Sequence, residues 1–478
     1  MREQHRQPVP EAARSAAVVA LALVVLAGGS WWQRDALDAL AGSGQASSAL
    51  AGSLPQDLQL PAARAAQPVL DEPSGGALSP SALRRRLMPL VADRRFGRRI
   101  GLAVRDLSSD TASLQVGAGA FMPASTLKLV VAAAALELLG PSHRFETVVT
   151  SSGQLRRQPT PRLTLVGGGD PMLVGSHTAG DYPRSATLRG LAAATARALI
   201  DAGVRRVRVG YDDSLFSGPA VSPTWEPDYV PDVTSPVSAL WVDEGIDPVT
   251  GSRSMDPAAL AALRFADGLR ARGIDVASRV VGSTAGAVEL ASVASPPLDQ
   301  VVGHVLGLSD NEGAEVLLRH VGLAAGTGAS FSGGAIGVEE ALRPLGVPWG
   351  GVRVNDGSGL SRANRLPLDT LMAVLALGVE EDRPELRAVV GGLPVAGFDG
   401  TLAGRYFARG TSAARGLVRA KTGTLTGSHS LAGTVVNADG ALLGFVAVAN
   451  RVAVRHTLFA RDQLDRIAAA LAACGCER

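Results

Sequence analysis

Apolar residues fall into runs whose period changes along the chain. The longest unbroken run, 129–139 (LVVAAAALELL), is rich in Ala and Leu and free of Gly and Pro, a composition that favours helix. Ahead of it, 81–95 (SALRRRLMPLVADRR) reads as a helix despite Pro89, 100–107 as a strand, and 111–116 as its hairpin partner. From 146 to 287 strand and helix patterns alternate: strands at 163–166, 204–209 and 273–276, helices at 185–202 and 256–272. That alternation predicts a small α/β module.

Beyond 288, residues 298–308 are apolar at helical spacing, and 312–321 continue as helix. Strands follow at 417–420, 431–436 and 441–449, the last two joined by the turn Ala438-Asp439-Gly440. An amphipathic helix over 457–472 closes the chain. Helices from both ends packing on an antiparallel sheet predict an α/β sandwich formed by 81–145 and 288–478, with 146–287 inserted as a smaller domain.

The N-terminus has a different character. Arg2, Arg6 and Arg14 precede the apolar run 16–29, which has the length of a signal-peptide core and is short for a membrane span. Trp31 and Trp32 would suit the outer interface of an uncleaved anchor, so 1–35 reads either as a cleaved signal or as a signal anchor. Either way the chain is expected to be exported, with membrane association through the N-terminus open. Residues 36–80, rich in Ala, Ser, Gly and Pro, carry no apolar period and read as a flexible linker.

Composition narrows the picture further. The 478 residues are 46% hydrophobic and 19% charged, enough to bury a large core, and with aromatics at 4% that core should be aliphatic. A net charge of +2 gives no reason to invoke nucleic acid. Cys474 and Cys476 sit too near each other for an unstrained bridge and are too few for a metal site; pairing in an oxidising compartment and crosslinking of two chains stay open. Seven histidines are scattered with no H-E-x-x-H, so His304 and His320 are not expected to bind metal, and no cofactor is expected. Gly167-Gly168-Gly169 lacks the Lys-Ser/Thr of a phosphate loop and reads as a structural turn; Asp170, Asp212 and Asp213 leave a cation site open, with solvated turn carboxylates the commoner reading.

Three short motifs carry chemistry. Ser125-Thr-Leu-Lys128 opens the Ala/Leu helix and sets Ser125 and Lys128 one turn apart on one face. A serine hydroxyl needs a base within reach, and a lysine can be that base if burial or a nearby cation lowers its pKa. Ser309-Asp310-Asn311 and Lys421-Thr422-Gly423 follow in that order. G-x-S-x-G is absent from the sequence, which removes the usual nucleophile elbow.

With these motifs go PASTLKLV (123–130), LVGGGDP (165–171), YDDSLF (211–216), PVSALWVDEG (236–245), DGSGLSRANR (356–365), LPVAGFDGTLAG (393–404) and VRAKTGTLTGSHSLAG (418–433). Together they resemble class C low-molecular-mass penicillin-binding proteins, the D-alanyl-D-alanine carboxypeptidase/endopeptidase family typified by penicillin-binding protein 4. The resemblance implies the penicillin-binding-protein/β-lactamase sandwich with a domain inserted between the first and second motifs. It implies an exported serine D,D-peptidase acting on peptidoglycan stem peptides and inhibited covalently by β-lactams. By the same resemblance Ser125 is the nucleophile and Lys128 its base, with Lys421 beside Lys128 to lower its pKa. Ser309 relays a proton, Asn311 orients Lys128 and the substrate amide, and Thr422, Gly423 and Thr424 bind substrate, the N–H of Thr424 joining that of Ser125 in an oxyanion hole. A β-lactamase or esterase on the same scaffold, and a catalytically silent penicillin-binding protein, are the competing readings; rapid penicillin turnover marks the first, and the intact motifs count against the second.

Overall fold

The computed structural model describes residues 78–108, 111–177, 182–277 and 280–475. The N-terminal run 16–29, most of the expected linker and Cys476 lie outside the described residues. Among the described residues no helix is long and apolar enough to cross a membrane.

Helix α1 (Pro80–Val91) begins on Ser79, whose Oγ accepts the N–H of Ala82 at 3.3 Å, and Leu78 is already buried. Order therefore reaches back a few residues into the stretch expected to be linker. The hairpin β1 (Arg99–Asp106) and β2 (Thr111–Val116) follows, then β3 (Ala120–Phe121), a 3₁₀ turn at Ala124–Thr126, and helix α2 (Leu127–Leu139). Every residue of α2 from Leu127 to Leu136 is buried, which is what a helix apolar on all faces requires.

The chain then builds a second sheet from β4 (Glu146–Ser151), β5 (Arg162–Val166), β6 (Arg206–Asp212), β7 (Asp275–Val276), β8 (Val281–Gly282) and β9 (Val288–Ala294). Helices α3 (Leu188–Asp201) and α4 (Pro257–Arg270) cover it through Leu191, Leu199, Phe265 and Leu269. The order is β7-β6-β5-β4-β9, with β8 also on β6; β6 runs parallel to β5, β7 and β8, while β4 is antiparallel to β5 and β9. The sequence boundary at 287 cuts this sheet short, because β9 pairs with β4 from Val288 to Ala294. Its sequence, VELASVA, has no fully buried residue and no strict alternation, so no apolar period announces it.

The remainder supplies α5 (Leu298–Leu308), α6 (Asn311–Ala324), α7 (Phe331–Leu342), β10 (Leu366–Pro367), α8 (Leu368–Leu377), β11 (Val418–Leu425), β12 (Ser428–Val436), β13 (Leu442–Asn450) and α9 (Thr457–Ala472). The main sheet is β11-β12-β13-β1-β2, antiparallel throughout. Its alternation sorts two cores. Leu443, Phe445, Ala447 and Ala449 face α1 and α9, whereas Ala432, Val446 and Val448 face α2 and α8. Lys421, paired with Ala432 in the ladder, belongs to the α2 side, and β11 is the edge strand there. The fold is thus a sandwich of helices on an antiparallel sheet, carrying an inserted α/β module between its first and second motifs.

Candidate active site

Ser125 is presented by the tight turn between β3 and α2. Ala124, just before it, takes φ = 50°, a left-handed conformation uncommon for a residue with a side chain. Two glycines allow that turn to be approached closely. A Cβ on Gly359 would stand 2.0 Å from the carbonyl oxygen of Ala124, and one on Gly423 would stand 2.7 Å from that of Pro123. The turn is also tied to β12, since Ser430 Oγ donates to the Pro123 carbonyl at 2.6 Å.

Lys128 lies one turn into the helix and is 1% exposed. Its Nζ donates to Ser125 Oγ at 3.2 Å, to Asn311 Oδ1 at 2.8 Å and to the Ser358 carbonyl at 2.7 Å. Ser309 ends α5 in a left-handed conformation (φ = 63°), and Asp310 caps α6 by accepting the Gly313 N–H at 2.9 Å. This two-residue break between helices turns Ser309 and Asn311 into the same space. From β11, Lys421 Nζ donates to Ser309 Oγ at 2.7 Å and to its neighbour's carbonyl, Thr422 O, at 3.0 Å. Thr422 Oγ1 donates to Thr401 Oγ1 at 3.2 Å. Ser125, Ser309, Asn311, Thr422 and Thr424 line one cleft of ≈ 510 Å³. The structure therefore gathers the three motifs around it.

Burial and charge act on both lysines. Burial pushes Lys128 down to about 8, while the carboxylates of Asp310, Glu315, Asp356 and Glu312 pull it back up. Lys421 is held well below its ordinary value, first by burial and then by the Lys128 ammonium. Physically, Lys128 has four carboxyl groups nearby that favour its charged form and Lys421 has none of them, so burial depresses Lys421 with less to oppose it.

Besides Asn311, the residues that position Lys128 lie outside the three motifs. Glu315 accepts the N–H groups of Gly357 and Ser358, both at 2.8 Å, and Asp356 accepts that of Gly359 at 3.1 Å and the Asn364 and Trp225 side chains. These bonds fix the loop that offers the Ser358 carbonyl. The signal in the sequence was the Gly-rich stretch 355–359, legible as a tight loop but silent about what it touches. Burial raises Glu315 to about 8, with Asp356 adding to the rise.

The α/β module also reaches the site. Trp225 Nε1 donates to Asp356 Oδ2 at 2.8 Å, Tyr229 and Val233 line the cleft, and Arg253 pairs with Glu312 at 2.8 Å. The triple glycine is a packing device. Cβ atoms on Gly167, Gly168 and Gly169 would stand 2.4, 1.9 and 2.3 Å from Ala239 O, Glu146 O and His320 Nε2. Asp170 is not a solvated turn carboxylate: it is 3% exposed, accepts the Met172 N–H at 2.8 Å, and is raised by burial to about 7. Asp212 does serve a turn, accepting the Ser214 N–H at 3.0 Å. His320 is buried against Phe145 and donates to the Gly169 carbonyl at 2.9 Å. His304 sits instead near Asp310 and Glu244, a grouping that sequence separation concealed.

Residues 83–253 and 247–471 match the D-Ala-D-Ala carboxypeptidase 3 (S13) family. A carboxypeptidase of Mycobacterium tuberculosis is 36% identical over 363 residues, covering 74% of this chain and 76% of its own. A D-alanyl-D-alanine carboxypeptidase of Actinomadura sp. is 32% identical over 410 residues, 68% of this chain and 73% of its own. In fold, the chain is similar to penicillin-binding protein 4 of Haemophilus influenzae, with a TM-score of 0.66 at 22% identity over 82% of this chain and 98% of the other.

Proposed function

Because this chain belongs to the D-Ala-D-Ala carboxypeptidase 3 (S13) family, as a class C low-molecular-mass penicillin-binding protein of the penicillin-binding protein 4 type, we propose that it cleaves peptidoglycan stem peptides through an acyl-enzyme on Ser125. The observation that carries the mechanism is the contact of Lys128 Nζ with Ser125 Oγ at 3.2 Å inside a cleft that Lys421 and Ser309 close from the other side.

Ser125 Oγ attacks the carbonyl carbon between the two D-alanines, and the free amine of Lys128 takes the hydroxyl proton. The N–H groups of Ser125 and Thr424 face the oxyanion, the kind of stabilisation that usually contributes most to acyl transfer. The C–N bond then breaks; the leaving amine takes the Ser309 hydroxyl proton, and the Lys421 amine bonded to Ser309 returns to it the proton that Lys128 took from Ser125. Asn311 holds Lys128 and the substrate amide in register. The hydroxyls of Thr422 and Thr424 receive the terminal carboxylate, and Gly423 keeps β11 close to the nucleophile. Water hydrolyses the ester, with Lys128 as base again. The edge position of β11 suits an extended peptide docking along it.

The same geometry serves a carboxypeptidase, whose leaving group is free D-alanine, and an endopeptidase, whose leaving group is the amine of a cross-linked stem. β-Lactams, whose strained amide occupies the place of the D,D-bond, acylate the same serine. The substrate lies outside the cytoplasm, so the chain acts in the cell envelope, secreted or tethered by its N-terminus. Incubation with a defined pentapeptide and a cross-linked muropeptide dimer, with products weighed by mass spectrometry, tests this reading. Loss of one D-alanine or splitting of the dimer, abolished in Ser125→Ala, is the expected result. Intact substrates beside a wild-type protein that hydrolyses penicillin rapidly would overturn it in favour of a β-lactamase.

A further inference from the structure

We propose that Glu244, His304 and Asp310 form a binding site for a divalent transition-metal ion of the Zn²⁺ class, at the seam between the α/β module and the catalytic part. One donor atom from each lies within 4.8 Å of the others, and His304 Nε2 is 3.9 Å from Asp310 Oδ2. The three come from separate places: Glu244 from the turn Asp243–Gly245, His304 from the last turns of α5, and Asp310 from the cap of α6. No sequence motif could have shown them as a group.

The independent observation is Asp310. Its side chain is 4% exposed, and only one of its oxygens is used, in capping the Gly313 N–H. The other, Oδ2, is buried with no hydrogen-bond partner among the described residues and is aimed at His304. A buried carboxylate oxygen without a donor is rare in a folded protein, and 3.9 Å is too long for the imidazole to be that donor. A cation between them satisfies both.

The donor set selects the ion. Two carboxylates and an imidazole balance a double positive charge, and the imidazole favours Zn²⁺ over the oxygen-seeking Mg²⁺ and Ca²⁺. Bonds of roughly 2.0–2.1 Å put tetrahedral donors about 3.3 Å apart, so the side chains need to close by an ångström or so. A cavity of ≈ 290 Å³ lined by Met172, Leu173, Ser185, Glu244 and His304 gives an ion a way in and leaves space for water as a fourth ligand. The bound ion would fasten the module's turn to the α5–α6 break, whose adjoining residues, Ser309 and Asn311, bond to Lys421 and Lys128. The proposal stands apart from the peptidase reading, since the site is tested by binding alone.

The test uses the tag-free full chain, stripped with a chelator and dialysed. Zn²⁺ is titrated by calorimetry and Co²⁺ by visible absorption. One ion per chain is expected, with Co²⁺ bands that Zn²⁺ displaces and a melting temperature that rises with Zn²⁺ concentration. His304→Ala and Glu244→Gln should each weaken binding by more than the roughly 10- to 100-fold that loss of a supporting partner costs, while His456→Ala changes nothing. Should His304→Ala fail to fold, His304→Gln keeps a polar side chain there and is judged by the same loss. No Zn²⁺ binding, or binding equal in wild type and both ligand variants, would overturn the site.

Discussion

Lys128 Nζ meets Ser125 Oγ across 3.2 Å, and burial has pushed that amine down to about 8. On the proposed mechanism its free-base fraction sets the rate at which Ser125 is acylated. Below pH 8 the second-order acylation constant for a β-lactam should fall about tenfold per pH unit, and above it the constant should level off. Because Lys421 shares the field of Lys128, the measured midpoint belongs to the pair. A rate flat between about pH 6 and 9 would remove Lys128 as the base.

Gly423→Ala tests the close approach of β11 to the nucleophile turn. The added Cβ would stand 2.1 Å from Ser430 Oγ and 2.7 Å from the Pro123 carbonyl oxygen. A side chain can move and a backbone carbonyl cannot without disturbing Ser125. Acylation should drop by more than tenfold with the thermal transition retained. Adding Ser430→Ala relieves one contact only, so the double variant should stay well below wild type in stopped-flow acylation.

Asp170 makes a pH-dependent contribution to stability whose sign is fixed by its shift. The folded carboxyl titrates at about 7 against 3.8 for the ordinary group, so its contribution is present below about 3.8 and is lost as pH rises through 7. Asp170→Asn imitates the neutral acid and should gain on wild type as pH rises across that window, at up to ~1.4 kcal/mol per unit. Melting curves from acid to neutral pH supply the comparison. A constant difference would mean the carboxyl is not forced into its neutral form.

The module's reach into the site is tested at Trp225, which no sequence motif marked. Trp225→Phe keeps the ring contact with Phe331 and deletes the 2.8 Å bond to Asp356. Loss of one such bond to a carboxylate costs roughly 1.5–3 kcal/mol. Acylation should slow by about tenfold or more through displacement of the Ser358 carbonyl. An unchanged acylation rate would show that the loop is held well enough without the indole.

The sequence showed the elements with strong periods almost to the residue: α5 as 298–308, α9 as 457–472, β2 as 111–116. It showed the candidate site because Ser125, Lys128, Ser309, Asn311 and Lys421 sit in short motifs whose order is informative. What it hid was contact between segments far apart in the chain. Glu315 looks like one more helical glutamate until the fold lays α6 against the loop at 357–358, and Trp225 meets Asp356 across 131 residues. The carboxyl groups around Lys128 were likewise out of reach, since Asp356 and Glu315 come from segments far from it in the chain.

Ser309→Ala separates proton relay from nucleophile. Ser309 Oγ accepts from Lys421 at 2.7 Å and does not contact Lys128, so its removal leaves Ser125, its base and the Thr424 end of β11 in place. The variant should still form the penicillin adduct on Ser125, more slowly, when read by intact mass. A peptide's amine leaves only with a proton, whereas an activated thioester leaves as a thiolate and needs none. The loss should therefore be within the roughly 10² to 10⁴ of a missing acid–base group for a D-Ala-D-Ala peptide and much smaller for a thioester of the same acyl part. Ser125→Ala, by contrast, should abolish the adduct and both activities together. Equal losses on the two substrates for Ser309→Ala, or an adduct mapping to Ser309 in the wild type, would mean that the proton reaches the leaving group by another route.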